Sequence, residues 1–276
     1  MTKTKRNKSI GIFDSGFGGL SILKGIVKVL PEYDYIYLGD TARAPYGGRT
    51  KETIFEFTKQ AVDFLFNQNC GLIIIACNSA SSDALKKIQE EYIPIKYPGK
   101  KVLGVLIPGA EVSALKTKNK RIGILATEAT VNSKAFEREL FKIDPKIKIF
   151  QKACPLLVPI VEEGKGDELS SEMIIKDYLD YFKDKDIDTL ILGCTHYGIL
   201  EEQIKKNMPY NVEVVSESHI IGKKLKDYLE RKPEIEGTLS KDGQRAFFST
   251  DTTNRFEKLG GKFFGKKIEQ KKAKLI

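Results

Sequence analysis

Two short stretches of this 276-residue chain repeat one pattern. Ile73-Ile74-Ile75-Ala76-Cys77-Asn78-Ser79 and Leu190-Ile191-Leu192-Gly193-Cys194-Thr195-His196 are each an apolar run, a small residue, a cysteine and then polar side chains. An apolar run this short and continuous reads as a strand buried on both faces of a parallel sheet. Each cysteine then stands at the carboxyl end of its strand, where open α/β sheets place their chemistry. Two thiols offered alike from two halves of a chain can face one substrate from opposite sides. That geometry suits taking a proton from one face of a carbon and returning one to the other.

The remaining cysteines carry no such context. Free cysteine is among the most buried residue types and behaves as a small hydrophobe. Cys70 opens the strand segment Gly71-Leu72-Ile73, and Cys154 precedes Pro155 with no acid, base or second thiol beside it. Both read as packing residues. Four cysteines without a CxxC pair imply reduced thiols in a cytoplasm. Cys194 and His196 form one potential ligand pair, but no second pair stands at zinc-site spacing, so no metal is expected. No stretch approaches the roughly 18 apolar residues of a membrane span. The basic opening Met1–Lys8 has no apolar core behind it, so neither a secretory signal nor membrane contact is expected.

Along the chain, strand and helix signals alternate and then restart. Ser9–Phe13 reads as a first strand, with an amphipathic helix after it through Leu20, Leu23, Val27 and Leu30 up to Pro31. Tyr35–Leu38, the Cys77 strand and Val102–Leu106 follow as strands, with a helix through Thr53, Phe57, Ala61, Phe64 and Leu65 between the first two. Arg121–Thr127 then echoes Ile10–Ser15; Lys148–Phe150 and Val212–Val215 take the places of the second and fourth strands. Phe247–Asp251 reads as a final strand before a closing helix near Asn254–Leu259. The expectation is an α/β fold of two pseudo-duplicated domains with parallel sheets and the active site in the cleft between them. Residues 1–98 plus 210–276 would carry Cys77, and 99–209 would carry Cys194.

Two glycine clusters invite a nucleotide reading and fail it. Gly16-Phe17-Gly18-Gly19-Leu20-Ser21 follows a strand and opens a helix, yet Ser21 replaces the third glycine of a dinucleotide fingerprint. It reads better as a turn whose amides cradle a carboxylate at a helix N-terminus. Gly260–Lys267 has P-loop spacing but no closing Ser/Thr and no buried strand before it. The net charge of +9 also belongs to the ends. Residues 1–10 hold four Lys/Arg and no acid, residues 222–276 hold 15 Lys/Arg against 8 Asp/Glu, and the body between is nearly balanced. Such termini read as solvated faces and not as a nucleic-acid surface.

The motifs resemble a known family. Ile10-Gly-Ile-Phe-Asp14-Ser15-Gly-Phe-Gly-Gly-Leu, Gly39-Asp40-Thr-Ala-Arg-Ala-Pro45-Tyr46-Gly47, Ala76-Cys77-Asn78-Ser79-Ala-Ser and Leu192-Gly-Cys194-Thr195-His196-Tyr are similar to the signatures of the glutamate racemases, within the aspartate/glutamate racemase superfamily. The likeness runs from about Ile10 to about Phe264 in order and spacing. Ser79 departs from the more usual threonine but keeps a hydroxyl. The resemblance implies an isomerase that needs no pyridoxal phosphate, metal or other cofactor and supplies D-glutamate for peptidoglycan. It implies that Cys77 exchanges the α-proton of D-glutamate and Cys194 that of L-glutamate. Asp14 would assist Cys77, and His196 and Glu162 (beside Glu163) would assist Cys194. Asp14, Ser15, Pro45, Tyr46, Gly47, Asn78, Ser79, Thr195 and His196 would hold the substrate. The expected partner is this small molecule, with a homodimer as the assembly considered.

The residues themselves agree with that chemistry. An amino-acid α-proton is very weakly acidic, so a site without an electron sink must stabilise the carbanion itself. Backbone amides near Gly47, hydroxyls and the Asn78 amide are suitable donors to carboxylate oxygens. A thiol is mostly protonated at neutral pH, and a cationic His196 or a helix N-terminus would raise the thiolate fraction. Asp40 reads as a turn-forming residue. The alternatives are an aspartate or broad-specificity racemase, and a binding or regulatory protein on the same fold.

Overall fold

The computed structural model describes residues 7–276; of the basic N-terminal opening, residues 1–6 lie outside the described residues. The strands in chain order are β1 (Ser9–Asp14), β2 (Tyr35–Gly39), β3 (Cys70–Ile75), β4 (Lys101–Gly104), β5 (Arg121–Ala126), β6 (Lys148–Ala153), β7 (Thr189–Gly193), β8 (Glu213–Ser216), β9 (Arg245–Ser249) and β10 (Gln270–Lys272). They form a six-stranded sheet ordered β10-β9-β2-β1-β3-β4 and a four-stranded sheet ordered β6-β5-β7-β8. Every ladder is parallel. The run β2-β1-β3-β4 has the same spatial order as β6-β5-β7-β8, which is the duplication read from the sequence.

The continuous apolar runs are what make central strands. Leu72, Ile73, Ile74 and Ile75 are all at least 97% buried, and so are Leu190, Ile191 and Leu192, because helices cover both faces of each sheet. Burying a side chain of this size contributes roughly 1.5–3 kcal/mol. Helix α1 (Gly19–Val29) turns Leu20, Ile22, Leu23 and Ile26 inward and ends just before Pro31, whose ring cannot continue a helix. Helix α2 (Lys51–Asn67) is capped by Thr50, whose hydroxyl accepts from the Thr53 N–H at 3.3 Å. Its buried face is Ile54, Thr58, Ala61, Val62 and Leu65. This face is rotated from the expected one, because Phe57 is drawn out to stack on Tyr46 and under Arg43.

Three sequence expectations change. Sheet membership puts β4 with the Cys77 sheet and β8 with the Cys194 sheet, so the chain crosses between the sheets after Gly104 and again after Ser216. Those crossings fall later than boundaries at 98 and 209, because the last strand of each half still has to pair with its own sheet. The expected strand 102–106 stops at Gly104, since Leu106 already begins the helix Leu106–Lys116. Finally, the lysine-rich end holds a strand beyond those read from the sequence. Gln270–Lys272 pairs with β9 as an edge strand, and its Lys271 and Lys272 are exposed, the kind of charge that discourages edge-to-edge association.

Gly260 and Gly261 lie inside the helix Asn254–Phe264, which ends at Gly265 with φ +83°. A side chain at Gly260 would meet Ile268 at 2.6 Å, so this cluster serves packing and C-capping. One apolar cluster contains Ile12 and Leu72 of one sheet together with Leu190 and Leu192 of the other. The two halves therefore share a core. Among the described residues, no helix is long and apolar enough to cross a membrane.

Candidate active site

The central strands β1, β3, β5 and β7 all release their chains at the same edge, where parallel sheets expose ligands to a crevice. A cavity of about 190 Å³ opens there. Its walls include Ser15 after β1, Cys77, Asn78 and Ser79 after β3, Thr127 after β5, and Cys194, Thr195 and His196 after β7. Pro45, Tyr46 and Gly47 close one side, and Glu162 another. The structure thus brings together every sequence-predicted site residue except Asp14, which sits just beneath, fully buried at the end of β1.

Each thiol has its own neighbours. Cys77 precedes helix α3 (Asn78–Asp83), and its thiol donates to Ser15 Oγ at 3.4 Å. Cys194 Sγ lies 3.8 Å from His196 Nδ1. His196 Nε2 meets Glu162 Oε1 at 3.1 Å, so the imidazole links thiol to carboxylate. Glu163, next in the chain, turns the other way and pairs with Arg255 at 2.8 Å. Arg255 also stands 3.6 Å from Glu162 Oε2 and supports it from outside.

Asp14 explains the first glycine cluster. Its Oδ2 accepts from the Gly16 N–H at 2.9 Å, and its Oδ1 accepts from Thr195 Oγ1 at 3.4 Å. The carboxylate cradled by this turn is the protein's own. Burial raises the Asp14 carboxyl above the usual carboxylate range, and the nearby His196 opposes that shift.

Burial also governs the thiols. It pushes Cys77 up to about 11, with the Asp14 charge adding to it and the Ser15 hydroxyl opposing. Cys194 is driven well above the ordinary thiol range, again by burial first; the His196 backbone N–H opposes it, while Cys77, Asp14 and Glu217 add to the rise. The expected lift in thiolate fraction from His196 or a helix N-terminus is therefore outweighed by desolvation. At neutral pH both thiols rest protonated. Each is a strong base once its proton is drawn off, which suits a weakly acidic carbon. Cys70 and Cys154 are also fully buried and outside the cavity.

The loop 44–48 is held by Asp40. Its Oδ2 accepts from Arg43 Nε at 2.7 Å and from the Tyr46 hydroxyl at 2.5 Å, and its Oδ1 accepts from Thr250 at 2.9 Å. Asp40 is thus spent on the turn, as its sequence context suggested. The Gly47 carbonyl accepts from the Ala129 N–H at 2.9 Å, and a side chain at Gly47 would meet Thr127 Cβ at 2.7 Å. Only glycine lets this loop approach the other half so closely.

Sequence reasoning missed Thr127, which lies 112 residues after Ser15, the same offset that relates Gly123 to Gly11. Its hydroxyl bonds Ser79 Oγ at 2.9 Å across the two halves. It missed too the apolar wall of Val158 and Pro159, which belong to the same helix Leu157–Glu162 that presents Glu162. Among the described residues no group of three or more His, Cys, Asp or Glu side chains is placed to hold a metal ion.

Comparison with known proteins bears on this geometry. The profile of the Asp/Glu/hydantoin racemases matches residues 10–221. A glutamate racemase of Persephonella marina is 42% identical over 269 residues, covering 97% of each chain. The crystal structure of glutamate racemase from Francisella tularensis in complex with D-glutamate superposes with a TM-score of 0.87 at 36% identity, covering 96% of each chain. A glutamate racemase isoform from Bacillus anthracis gives a TM-score of 0.89 at 32% identity over 98% of each chain.

Proposed function

This chain belongs to the Asp/Glu/hydantoin racemase family, and on that premise we propose that it interconverts L- and D-glutamate by passing protons between two thiols. The observation that carries the reading is the pair Cys77 and Cys194, one from each sheet, buried in the walls of one small cavity. The enzyme is a glutamate racemase, an isomerase, and its D-glutamate would feed peptidoglycan and so cell-wall building and cell shape. Its workplace would be the cytoplasm, where thiols stay reduced. The two sheets with their helices would be the two domains, flanking the substrate from either side.

In the L-to-D direction Cys194 takes the α-proton, and the protonated Cys77 delivers another to the opposite face. The reverse direction exchanges their tasks. Glu162 and His196 receive or return the Cys194 proton, a role supported by the 3.8 Å and 3.1 Å contacts along that line. Asp14, lying beside both thiols, serves Cys77 and offsets the substrate ammonium. The donors around Ser15, Gly47, Asn78, Ser79 and Thr195 bind carboxylate oxygens, with Pro45 and Tyr46 shaping the wall. They are fixed before the substrate arrives, so stabilising charge on the way to the carbanion needs little reorganisation.

The direct test follows the optical activity of L- and D-glutamate with dialysed, chelator-treated protein and no added cofactor, beside an aspartate control. Racemisation of glutamate in both directions is expected. Activity that requires added zinc, magnesium or pyridoxal phosphate, or that prefers aspartate, would overturn the reading.

A second expectation concerns His196. Replacing it by asparagine removes the titratable link between Cys194 and Glu162 and should slow proton abstraction from L-glutamate more than from D-glutamate, by about tenfold or more in turnover number. Because the overall equilibrium is fixed, the Michaelis constants must shift to compensate. Equal losses in both turnover numbers would place His196 in binding or folding instead.

A further inference from the structure

Glu217 is a buried acid that the two-thiol reaction leaves without a task. It opens the helix Glu217–Glu230 directly after β8 and is 2% exposed. Its Oε2 accepts a hydrogen bond from Asn78 Nδ2 at 2.7 Å. Its Oε1 and Asn78 Oδ1 are both buried and, among the described residues, without a partner. Asn78 begins α3 just past the Cys77 strand, whereas Glu217 directly follows β8, the edge strand of the sheet that carries Cys194, and opens the helix by which the chain crosses back. Their bond therefore joins the chain leaving β3 of one sheet to the chain leaving β8 of the other, next to the cavity that Asn78 lines.

Two unmatched acceptors on the same bonded pair are costly in a buried place. An ionised carboxylate can only accept, but a carboxylic acid brings one O–H donor. One proton on Glu217 resolves both defects. A protonated Oε1 is able to donate to Asn78 Oδ1 while Asn78 Nδ2 continues to donate to Oε2, and no buried charge would remain. The second N–H of Nδ2 is left for a substrate carboxylate.

We propose that Glu217 is carried as a neutral carboxylic acid whose two-bond pair with Asn78 positions that amide for the substrate across the junction of the two halves. The proposal rests on the reading of Asn78 as a substrate-binding residue. The surroundings of Glu217 fit a neutral acid. The helix Leu106–Lys116 turns Gly109 toward Oε1, and the end of β7 offers the thiol of Cys194. The charged residues of the adjoining elements are engaged or outward. Glu111 pairs with Lys224 at 2.7 Å, and Lys24 and Lys28 of α1 are exposed. With no compensating cation beside it among the described residues, burial lifts the Glu217 carboxyl to about 8, against the opposing bond from Asn78. A raised acid is protonated below that pH, so the pair is intact at neutrality and is lost as pH rises through it. Ionisation would also add a negative charge near Cys194.

The test compares Glu217→Gln and Glu217→Ala with the unmodified protein. Glutamine offers one donor and one acceptor to the Asn78 amide, so it should keep kcat/KM within about threefold at pH 7 and move the alkaline limb of the pH profile upward. Alanine should lower kcat/KM by about 10- to 100-fold, the scale expected when a binding group is displaced. Infrared difference spectra, read without turnover, should show a protonated-carboxyl band at pH 7 that Glu217→Gln removes. Absence of that band overturns the proposal even if Glu217→Ala fails to fold. So does Glu217→Ala activity within twofold of the unmodified protein, an unmoved alkaline limb in Glu217→Gln, or a folded Glu217→Gln as impaired as alanine. Unmodified protein that shows the band but no racemisation would instead sink the enzymatic reading.

Discussion

Cys77→Ala and Cys194→Ala are each expected to abolish racemisation in both directions, by on the order of 10³-fold or more in turnover number. Each inversion needs one thiol to take a proton and the other to give one, so neither can stand in for its partner. The two cysteines outside the cavity provide the control. Cys70 is packed against Gly11, where a side chain on the glycine would meet its sulfur at 3.0 Å, and Cys154 is fully buried after β6. Alanine at either removes a small apolar group and should cost roughly 1 kcal/mol of stability with turnover retained. Kinetics of the four variants, each checked for folding by circular dichroism, decide the matter. A folded Cys70→Ala or Cys154→Ala protein without activity would overturn the division between catalytic and packing thiols.

Much of this site is legible before any fold is known, for a physical reason. A strand buried on both faces leaves a continuous apolar run, and the residues just past its end are free of packing demands, so Cys77-Asn78-Ser79 and Cys194-Thr195-His196 stand out. Duplication doubles the signal. What stays hidden depends on meetings between distant segments. Nothing local distinguishes Glu162 from Glu163; the choice is made by the turn of a six-residue helix that aims one at His196 and leaves the other to Arg255. The pairing of Asn78 with Glu217 spans 139 residues and joins two helix starts that share no motif. The crossing points between the sheets are hidden likewise, since pairing of β4 and β8 with their own sheets is a long-range choice. The full rise in thiol pKa is hidden as well, because a neighbouring histidine is visible in sequence whereas the depth of burial is not.

In deuterated water, L-glutamate sampled at early times should yield D-glutamate already deuterated at Cα, while the remaining L-glutamate stays protiated. The expectation follows from one thiol at the end of each sheet. Cys194 holds the proton taken from L-glutamate, and the hydrogen delivered to the other face comes from Cys77, a different group already equilibrated with solvent. Reversal of the carbanion to L-glutamate draws on the proton still held by Cys194. This return is faster than exchange as long as the Cys194 thiol and His196 are shielded from bulk water, as their burial in the cavity wall favours, with the partly exposed Glu162 at the outer end of the line. A single base serving both faces would act differently. It would carry the original proton to the product, or wash deuterium into product and substrate alike. Mass spectrometry of both enantiomers, resolved after a few per cent conversion, separates these cases. Substantial early deuterium in recovered L-glutamate, or D-glutamate that is mostly protiated, would rule out the two-base assignment to Cys77 and Cys194. The same measurement from D-glutamate, with the roles of the thiols exchanged, should give the mirror result.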